Sequence, residues 1–198
     1  AFAFNKLNNT TEAAVNSTGQ VNCSGLVNIE TKALTNDSVL ASGMSSSGTS
    51  GVGAAIAILS GKNSNQAYVG ESSRIKAGAL NILAFTEDFT AEDPLLADTV
   101  NDFTVKAYAG QGASNVGLSG AFTLNIVDSK TNAYLGKDAV IELNGGDLNI
   151  KATNDNSVVS NSKGSASDDD ADAVADKFPG GIGSDGNNGE PSVGVGAA

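Results

Sequence analysis

Clustered carboxylates are the side chains of this chain that could do chemistry, and most of them lie in one segment near its C-terminal end. The segment 165–192 reads SASDDDADAVADKFPGGIGSDGNNGEPS. Clustered carboxylates and backbone carbonyls suit a hard cation such as Ca²⁺. The segment does not match the EF-hand loop, and the one Gly-Gly-x-Gly-x-Asp sequence in it, at 180–185, is not repeated. Its glycines and prolines favour a solvated loop. We therefore name no metal or cofactor ligand, and calcium binding stays an open alternative. The acidic residues concerned are Asp168, Asp169, Asp170, Asp172, Asp176, Asp185 and Glu190.

Catalysis is disfavoured by the residues that the chain lacks. It has no histidine, and its only arginine is Arg74, which we expect at an outward strand position. Ser-His-Asp catalysis therefore cannot be assembled within this chain. Carboxylates on flexible segments are poorly held at the fixed separation that acid–base catalysis needs. We expect no catalytic residue and no enzyme, and a carbohydrate-active enzyme ranks last among the hypotheses.

Cys23 and two tyrosines are the remaining candidates for a reactive or binding site. Cys23 is the only cysteine, so no internal disulfide can form, and we expect it to be a small buried apolar residue and not a reactive thiol. Tyr68 and Tyr134 occupy equivalent positions of an internal repeat. We expect them to stack, either as a packing ladder or as one outward-facing pair, with a sugar-binding pair as the alternative.

The chain repeats itself, and this repeat must position all of these residues. The segment 121–152 reads AFTLNIVDSKTNAYLGKDAVIELNGGDLNIKA, and related sequences occupy 55–84 and 1–31. Ile141 is equivalent to Ile75 in this alignment. Self-similarity at a long period indicates a stacked repeat architecture.

The repeat unit is predicted to consist of strands. Apolar residues alternate, as at Phe122, Leu124 and Ile126, and a period of two is typical of a strand. Asp, Asn, Gly, Ser and Lys separate the apolar runs and favour turns. The stretch Ala54–Leu59 is apolar throughout, as in a strand buried on both sides or a short buried helix, and its alternating counterpart favours the strand. We expect an all-β protein.

Short strands with turns between them suit a sandwich, a barrel or a solenoid, and the repeat favours the solenoid. Equivalent positions keep their chemical class, which a solenoid requires because each residue stacks on its counterpart about 4.8 Å away. We expect a parallel β-helix with about two coils in each repeat and about six coils in all. Since the six-residue period typical of left-handed β-helices is absent, we expect the right-handed kind.

The domain organisation follows from the same alignment. We expect one solenoid domain with three imperfect repeats and two acidic inserts. Insertions at solenoid corners often carry the binding surface. The first and last residues fall at nearly the same phase of the repeat without a recognisable cap, which favours a segment of a longer array over a free subunit that assembles end to end. The ranges are 1–198 for the domain, 1–53, 54–119 and 120–198 for the repeats, and approximately 86–101 and 165–192 for the inserts.

The charge balance restricts the partners. The formal net charge is −11, from 22 acidic and 11 basic residues, and an acidic chain is repelled by the phosphates of nucleic acid. We therefore expect no nucleic-acid partner. We also expect no membrane insertion, because the sequence has no apolar run of membrane-spanning length and no signal peptide.

Three elements carry a resemblance to a known family: the apolar run Gly51–Ile58, the Ala-Tyr-Val-Gly sequence at 67–70, and Leu80-Asn81-Ile82, each repeated in the third unit. This pattern resembles the repeats of very large secreted bacterial exoproteins, the filamentous-haemagglutinin-like and leukotoxin-like adhesins. The resemblance covers the strand-bearing part of all three repeats and omits the acidic inserts. It implies a right-handed β-helical shaft, a secreted or cell-surface location, and a role in adhesion, biofilm or fibre formation. It brings no catalytic residues, and the secretion domain of that family is not in this sequence.

The sequence therefore predicts a non-catalytic structural shaft segment of an extracellular adhesin or fibre. Such a segment would project a tip or join its neighbours by backbone pairing at exposed ends. The alternative is a surface binding module whose acidic inserts hold calcium, a glycan or a host or cell-surface protein.

Overall fold

A computed structural model describes residues 1–46, 50–86, 100–112, 116–165 and 193–197, and every regular element within them is a β-strand. This part of the chain contains no helix with the length and apolarity that a bilayer crossing requires. The strands are β1 (Phe2–Val15), β2 (Gln20–Asn22), β3 (Leu26–Lys32), β4 (Asn36–Ser46), β5 (Ser50–Val69), β6 (Arg74–Ala77), β7 (Ala79–Phe85), β8 (Asn101–Gly112), β9 (Val116–Leu135), β10 (Val140–Leu143), β11 (Leu148–Thr153), β12 (Asn156–Ser165) and β13 (Val193–Ala197).

The strands pair in parallel into four ladders. Ladder A has the order β1-β5-β9-β13, ladder B the order β10-β6-β2, ladder C the order β11-β7-β3, and ladder D the order β12-β8-β4. Successive strands of the chain thus belong to different ladders, and each ladder collects equivalent strands from successive repeats. The prediction of an all-β fold with parallel strands stacked in register is confirmed, and the architecture is solenoid-like.

The hydrogen-bonded registers join the residues that the repeat alignment made equivalent. Ile56 pairs with Phe2 on one side and with Phe122 on the other. In ladder B, Ile75 pairs with Ile141 of the third repeat. Each residue therefore stacks on its counterpart one repeat away, and we call the strands contributed by one repeat a coil.

The predicted number of about six coils is not confirmed, because the registers give one coil for each repeat. The reason is strand length: β5 and β9 are each 20 residues long. At about 3.3 Å per residue, such a strand spans about 66 Å, so one circuit of the solenoid uses a whole repeat. The polar run Gly61–Asn65 reads as a turn in the sequence, yet it stays in strand β5 because its backbone pairs with both neighbouring strands.

The interior contains two apolar clusters. The first lies between the first half of ladder A and ladder D and includes Leu59 and Phe103, both fully buried. The second lies between the second half of ladder A and ladders B and C, and it includes Val69, Ile75 and Ile82. Ladder A therefore forms one long wall that closes both clusters.

Buried polar side chains lie between the two clusters and link the coils. The backbone N–H of Thr35 donates to Asn101 Oδ1 at 2.9 Å, and Asn101 Nδ2 donates to Asn156 Oδ1 at 3.0 Å. Asn65 Nδ2 donates across the interior to the carbonyl of Phe85 at 3.1 Å. Asn101 therefore links three repeats, and its bond to the buried N–H of Thr35 is the costly one to lose, because water does not reach that donor, whereas Asn156 is exposed.

We expect Asn101→Ala to lower the free energy of unfolding by roughly 2–3 kcal/mol, because the buried N–H of Thr35 would lose its acceptor. The matched control is Asn81→Ala. Asn81 donates to Asn28 Oδ1 at 2.7 Å in an equally in-register pair, but on the surface, where water replaces the lost partner. The control should lose less than about 1 kcal/mol. Chemical denaturation measures both, and equal losses would contradict the assignment.

The corner between ladders A and B repeats the same backbone geometry in every coil. Thr18, Ser72 and Asp138 occupy equivalent positions and all adopt a left-handed conformation, with φ of 62°, 54° and 58°. This conformation costs a non-glycine residue about 1 kcal/mol or more, so the stacking must enforce it. The N–H of Thr18 donates to the carbonyl of Glu71 at 2.8 Å, which extends coil-to-coil pairing around the corner.

Gly70 and Gly136 are the first residues of this corner in the second and third coils, and packing explains why they are glycines. A Cβ on Gly70 would lie 2.5 Å from the Ser17 nitrogen, and one on Gly136 would lie 2.7 Å from the Glu71 nitrogen. Both distances are too short for a side chain against rigid backbone. The equivalent residue in the first coil is Asn16, and no coil packs against it on that side within the described residues.

We expect Gly136→Ala to destabilise the fold by roughly 1–3 kcal/mol, because the added methyl group would push the third coil off the second. Asn16→Ala, the same position in the first coil, should change stability by less than about 0.5 kcal/mol. Thermal unfolding followed by circular dichroism measures both. A Gly136→Ala protein with an unchanged melting temperature would show that the corner relaxes freely.

Candidate functional site

The acidic inserts are the first candidates from the sequence, and most of their residues lie outside the described part of the chain. Residues 87–99 and 166–192 fall in this category. Calcium binding by the inserts therefore stays a prediction. Within the described residues, no group of three or more His, Cys, Asp or Glu side chains is placed to hold a metal ion.

Arg74 lies on the outer surface of ladder B, as predicted. Its Nη1 atom is 3.1 Å from Glu142 Oε1, one coil away, and both side chains are about half exposed. An exposed pair of this kind contributes at most about 1 kcal/mol. Its role in the structure is therefore a weak cross-strand contact.

The prediction that Cys23 is buried is wrong, because the thiol is exposed. Its counterpart Ala77 is buried in the second coil, at 1% exposure. Cys23 belongs to the first coil, which has a neighbouring coil on one side only within the described residues. The alignment paired Cys23 with the correct residues of the other coils. It did not show that Cys23 lies in a coil at the end of the described stack.

The outer face of ladder A carries a contiguous group of exposed apolar side chains that sequence analysis did not identify. Residues alternate between inside and outside along β5, so Ala55 and Ala57 are buried whereas Ile56 and Ile58 face outward. Strand pairing places Phe2 and Phe122 on either side of Ile56. We call the outward side chains of this first half of ladder A the apolar face: Phe2, Phe4, Val52, Ile56, Ile58, Leu118, Phe122, Leu124 and Ile126.

The signal for the apolar face was present in the sequence. The stretch Ala54–Leu59 is apolar at every position, and we interpreted it as a strand buried on both sides or a buried helix. The structure buries only Ala55, Ala57 and Leu59 of this stretch. In the third coil, Phe122, Leu124 and Ile126 point outward while Thr123 lies on the inner side. Alternation predicted the two faces of the strand but not which of them faces the interior.

The second half of the same outer face is polar. Lys62 pairs in register with Asp128, and Lys130 Nζ lies 3.0 Å from Asp128 Oδ2. One continuous ladder therefore presents an apolar half and a charged half, and the row of Lys6, Ser60 and Ile126 lies at the boundary between them. The change occurs along the strands, after Phe4 in β1, and one row later in β9, after Ile126.

The polar half includes the predicted tyrosine stack. The rings of Tyr68 and Tyr134 lie 4.9 Å apart with an interplanar angle of 5°, and Tyr134 is 40% exposed. This confirms the stack as an outward-facing pair. Because each ring covers one face of the other, only the outer faces and edges remain open to a sugar.

The phenol of Tyr68 donates a hydrogen bond to Glu12 Oε1 at 2.8 Å, one coil away. This hydrogen bond raises the pKa of Tyr68, and desolvation and the negative charge of Glu12 act in the same direction. A raised pKa means that the folded state favours the protonated phenol. The contact therefore stabilises the fold below the ordinary tyrosine pKa of about 10, and this contribution is lost as the pH rises through the folded-state value.

We expect Tyr68 to ionise at a higher pH than free tyrosine, and Glu12→Gln to move its pKa back toward the ordinary value. Side-chain ¹³C NMR of labelled tyrosine resolves Tyr68 from the other tyrosines during a pH titration. Glu142→Gln, which removes a carboxylate from a different ladder, should leave the titration of Tyr68 unchanged. Ionisation of Tyr68 at or below the pH of free tyrosine would contradict the role of Glu12.

Comparison with known proteins assigns no function to either half of this face. No family model, curated protein or solved structure matches the chain. The geometry itself offers a flat grid of side chains, spaced about 4.8 Å across the strands and about 7 Å along them. Such a surface is suited to binding another extended surface.

Proposed function

We propose that this chain is a structural, non-catalytic shaft segment of an extracellular adhesin or fibre. The observation that supports the proposal is the uninterrupted register of ladder A. All 14 residues of β1 pair with β5, and all 20 residues of β5 pair with β9. A stack in which the described strands of each coil pair in register with those of the next is suited to holding two points a fixed distance apart.

The mechanical argument follows from the direction of the bonds. The hydrogen bonds between coils run along the stacking direction, so separating two coils along that direction loads all the bonds of their ladders together. The buried Asn101 bridge and the tyrosine stack add side-chain links in the same direction. A stack of such coils resists stretching more strongly than a chain of globular domains that are joined by single linkers.

Assembly is proposed to use the same pairing. Within the described residues, β2, β3 and β4 each pair on one side only. Strands with an unpaired edge accept a further strand, either from a continuation of the chain or from a second molecule end to end. The right-handed winding and the cell-surface or secreted location rest on the resemblance to secreted exoproteins.

The test is immunogold electron microscopy with an antibody raised against this chain, applied to cells that express the whole protein. We expect labelling of intact, unpermeabilised cells, with gold particles along projecting fibres and not confined to the envelope. Labelling that requires permeabilisation would contradict the extracellular shaft. An antibody to a cytoplasmic protein is the control for cell integrity.

The second candidate is a surface binding module whose acidic inserts hold calcium, a glycan or a surface protein. The observation that favours it is the undisturbed pairing beside the inserts. Phe85 pairs with Thr153 before the first insert, and Asn101 pairs with Asn156 directly after it. A solenoid that keeps its register around an insert can present it without loss of stability.

Calcium titration separates the two candidates. The binding module predicts a saturable calorimetric signal and a melting temperature several degrees higher in calcium than in chelator. Magnesium is the control for a non-specific charge effect. The shaft alone predicts the same melting temperature in both.

A further inference from the structure

We propose that the apolar face of ladder A packs against the apolar face of a second copy of this chain, so that two solenoids associate side by side. This contact adds a lateral partner to the proposed shaft, and it does not require that the shaft be extracellular. The occupant we infer is the same surface on another molecule. Three properties of the apolar face support it, namely exposure, charge and shape, and its area determines how strong the contact can be.

The exposed apolar side chains form one contiguous patch. Val52 is 69% exposed, Phe2 67%, Phe122 53% and Leu118 52%. Soluble proteins expose single apolar residues commonly, but contiguous apolar patches of a few hundred Å² mark contact surfaces. Here the register makes the patch contiguous, because Phe2, Ile56 and Phe122 form one row across three strands.

Charge favours contact between two copies through this face over contact through any other face. The outward positions from Val52 to Ile58 and their paired counterparts include no charged residue. The chain as a whole carries a formal net charge of −11, so two copies repel each other in most orientations. The apolar face is a place where they can meet without opposing carboxylates.

Shape also favours a second copy. The faces of two sheets pack on one another at about 10 Å with their side chains interdigitated, and ladder A presents such a face. A two-fold axis between two copies makes the contact self-complementary, since each copy supplies the same patch.

The area sets the strength of the contact. Four outward positions along β5 extend about 23 Å and three strands extend about 14 Å, which gives about 330 Å² for each copy. A standard stable interface needs about 800 Å² from each partner. One chain should therefore pair weakly, and an array that carries several such faces should pair much more strongly through multivalency.

The experiment is sedimentation velocity of the whole 198-residue chain over a wide concentration range, with small-angle X-ray scattering on the same samples. We expect concentration-dependent dimers whose maximum dimension barely exceeds that of the monomer, as side-by-side packing requires. Because the copies carry like charges, association should strengthen as salt is raised. Dimers that are twice as long as the monomer would overturn the lateral contact and favour end-to-end stacking.

The variant that tests the face is Ile56→Thr with Phe122→Thr, which makes two of the three positions of the central row polar and keeps residues that favour strands. It should raise the dimer dissociation constant at least tenfold. The matched control is Gln66→Thr with Tyr134→Thr, on the same two strands and the same outer face but within the polar half, and it should dimerise like the unmodified chain. Circular dichroism verifies that each variant folds, and the single variant Phe122→Thr provides a milder change if the double variant does not.

Three outcomes would overturn the proposal. One is a chain that stays monomeric up to about 1 mM, where contacts of this size should be populated. Another is an apolar-face variant that still dimerises as the control does. The third is a monomeric chain that floats with uncharged phosphatidylcholine vesicles, and whose flotation the apolar-face variant abolishes, because the face would then belong to a lipid surface. None of these outcomes bears on the immunogold test, so the shaft and the lateral contact can fail separately.

Discussion

Backbone pairing between successive coils determines where every side chain of this protein can lie. A parallel ladder places each residue directly on its counterpart. A restriction on side-chain size or backbone conformation at one position therefore applies at the same position in the next coil. Gly70 and Gly136 are glycines because each meets the backbone of the coil before it. Thr18, Ser72 and Asp138 share one unusual backbone conformation for the same reason. The fold is thus a set of columns, and local preferences of single residues are secondary to them.

The columns also explain why the outer surface of ladder A is unusually apolar. The inner side of this wall is lined in its first half by small residues such as Ala55 and Ala57, because the two walls of the solenoid approach closely there. Bulk that a globular protein would place in its core is therefore found outside, at Ile56 and Phe122. A thin interior and an apolar exterior are two aspects of one packing arrangement.

Much of this architecture could be predicted from sequence, because the columns leave a direct trace in the repeat. The strand type, the parallel stacking and the tyrosine pair all follow from aligned positions. Coil number could not be predicted, since Gly61–Asn65 has the composition of a turn and only its pairing partners keep it in a strand. The outward orientation of Phe122 was equally inaccessible, because alternation distinguishes two faces without saying which is buried. The exposure of Cys23 was inaccessible for another reason, since the alignment of a residue with its counterparts does not show whether it lies inside the stack or at its end.

One consequence of the column arrangement concerns inheritance. A whole repeat can be duplicated or lost in phase while the strands of the remaining coils still pair in register, since each coil touches only the coils directly beside it. Unequal recombination within the gene would therefore lengthen or shorten the molecule and leave its cross-section intact. The length of the molecule and its surface chemistry can then evolve independently. The number of repeats sets the length, and substitutions of outward-facing residues in single rows set the surface chemistry.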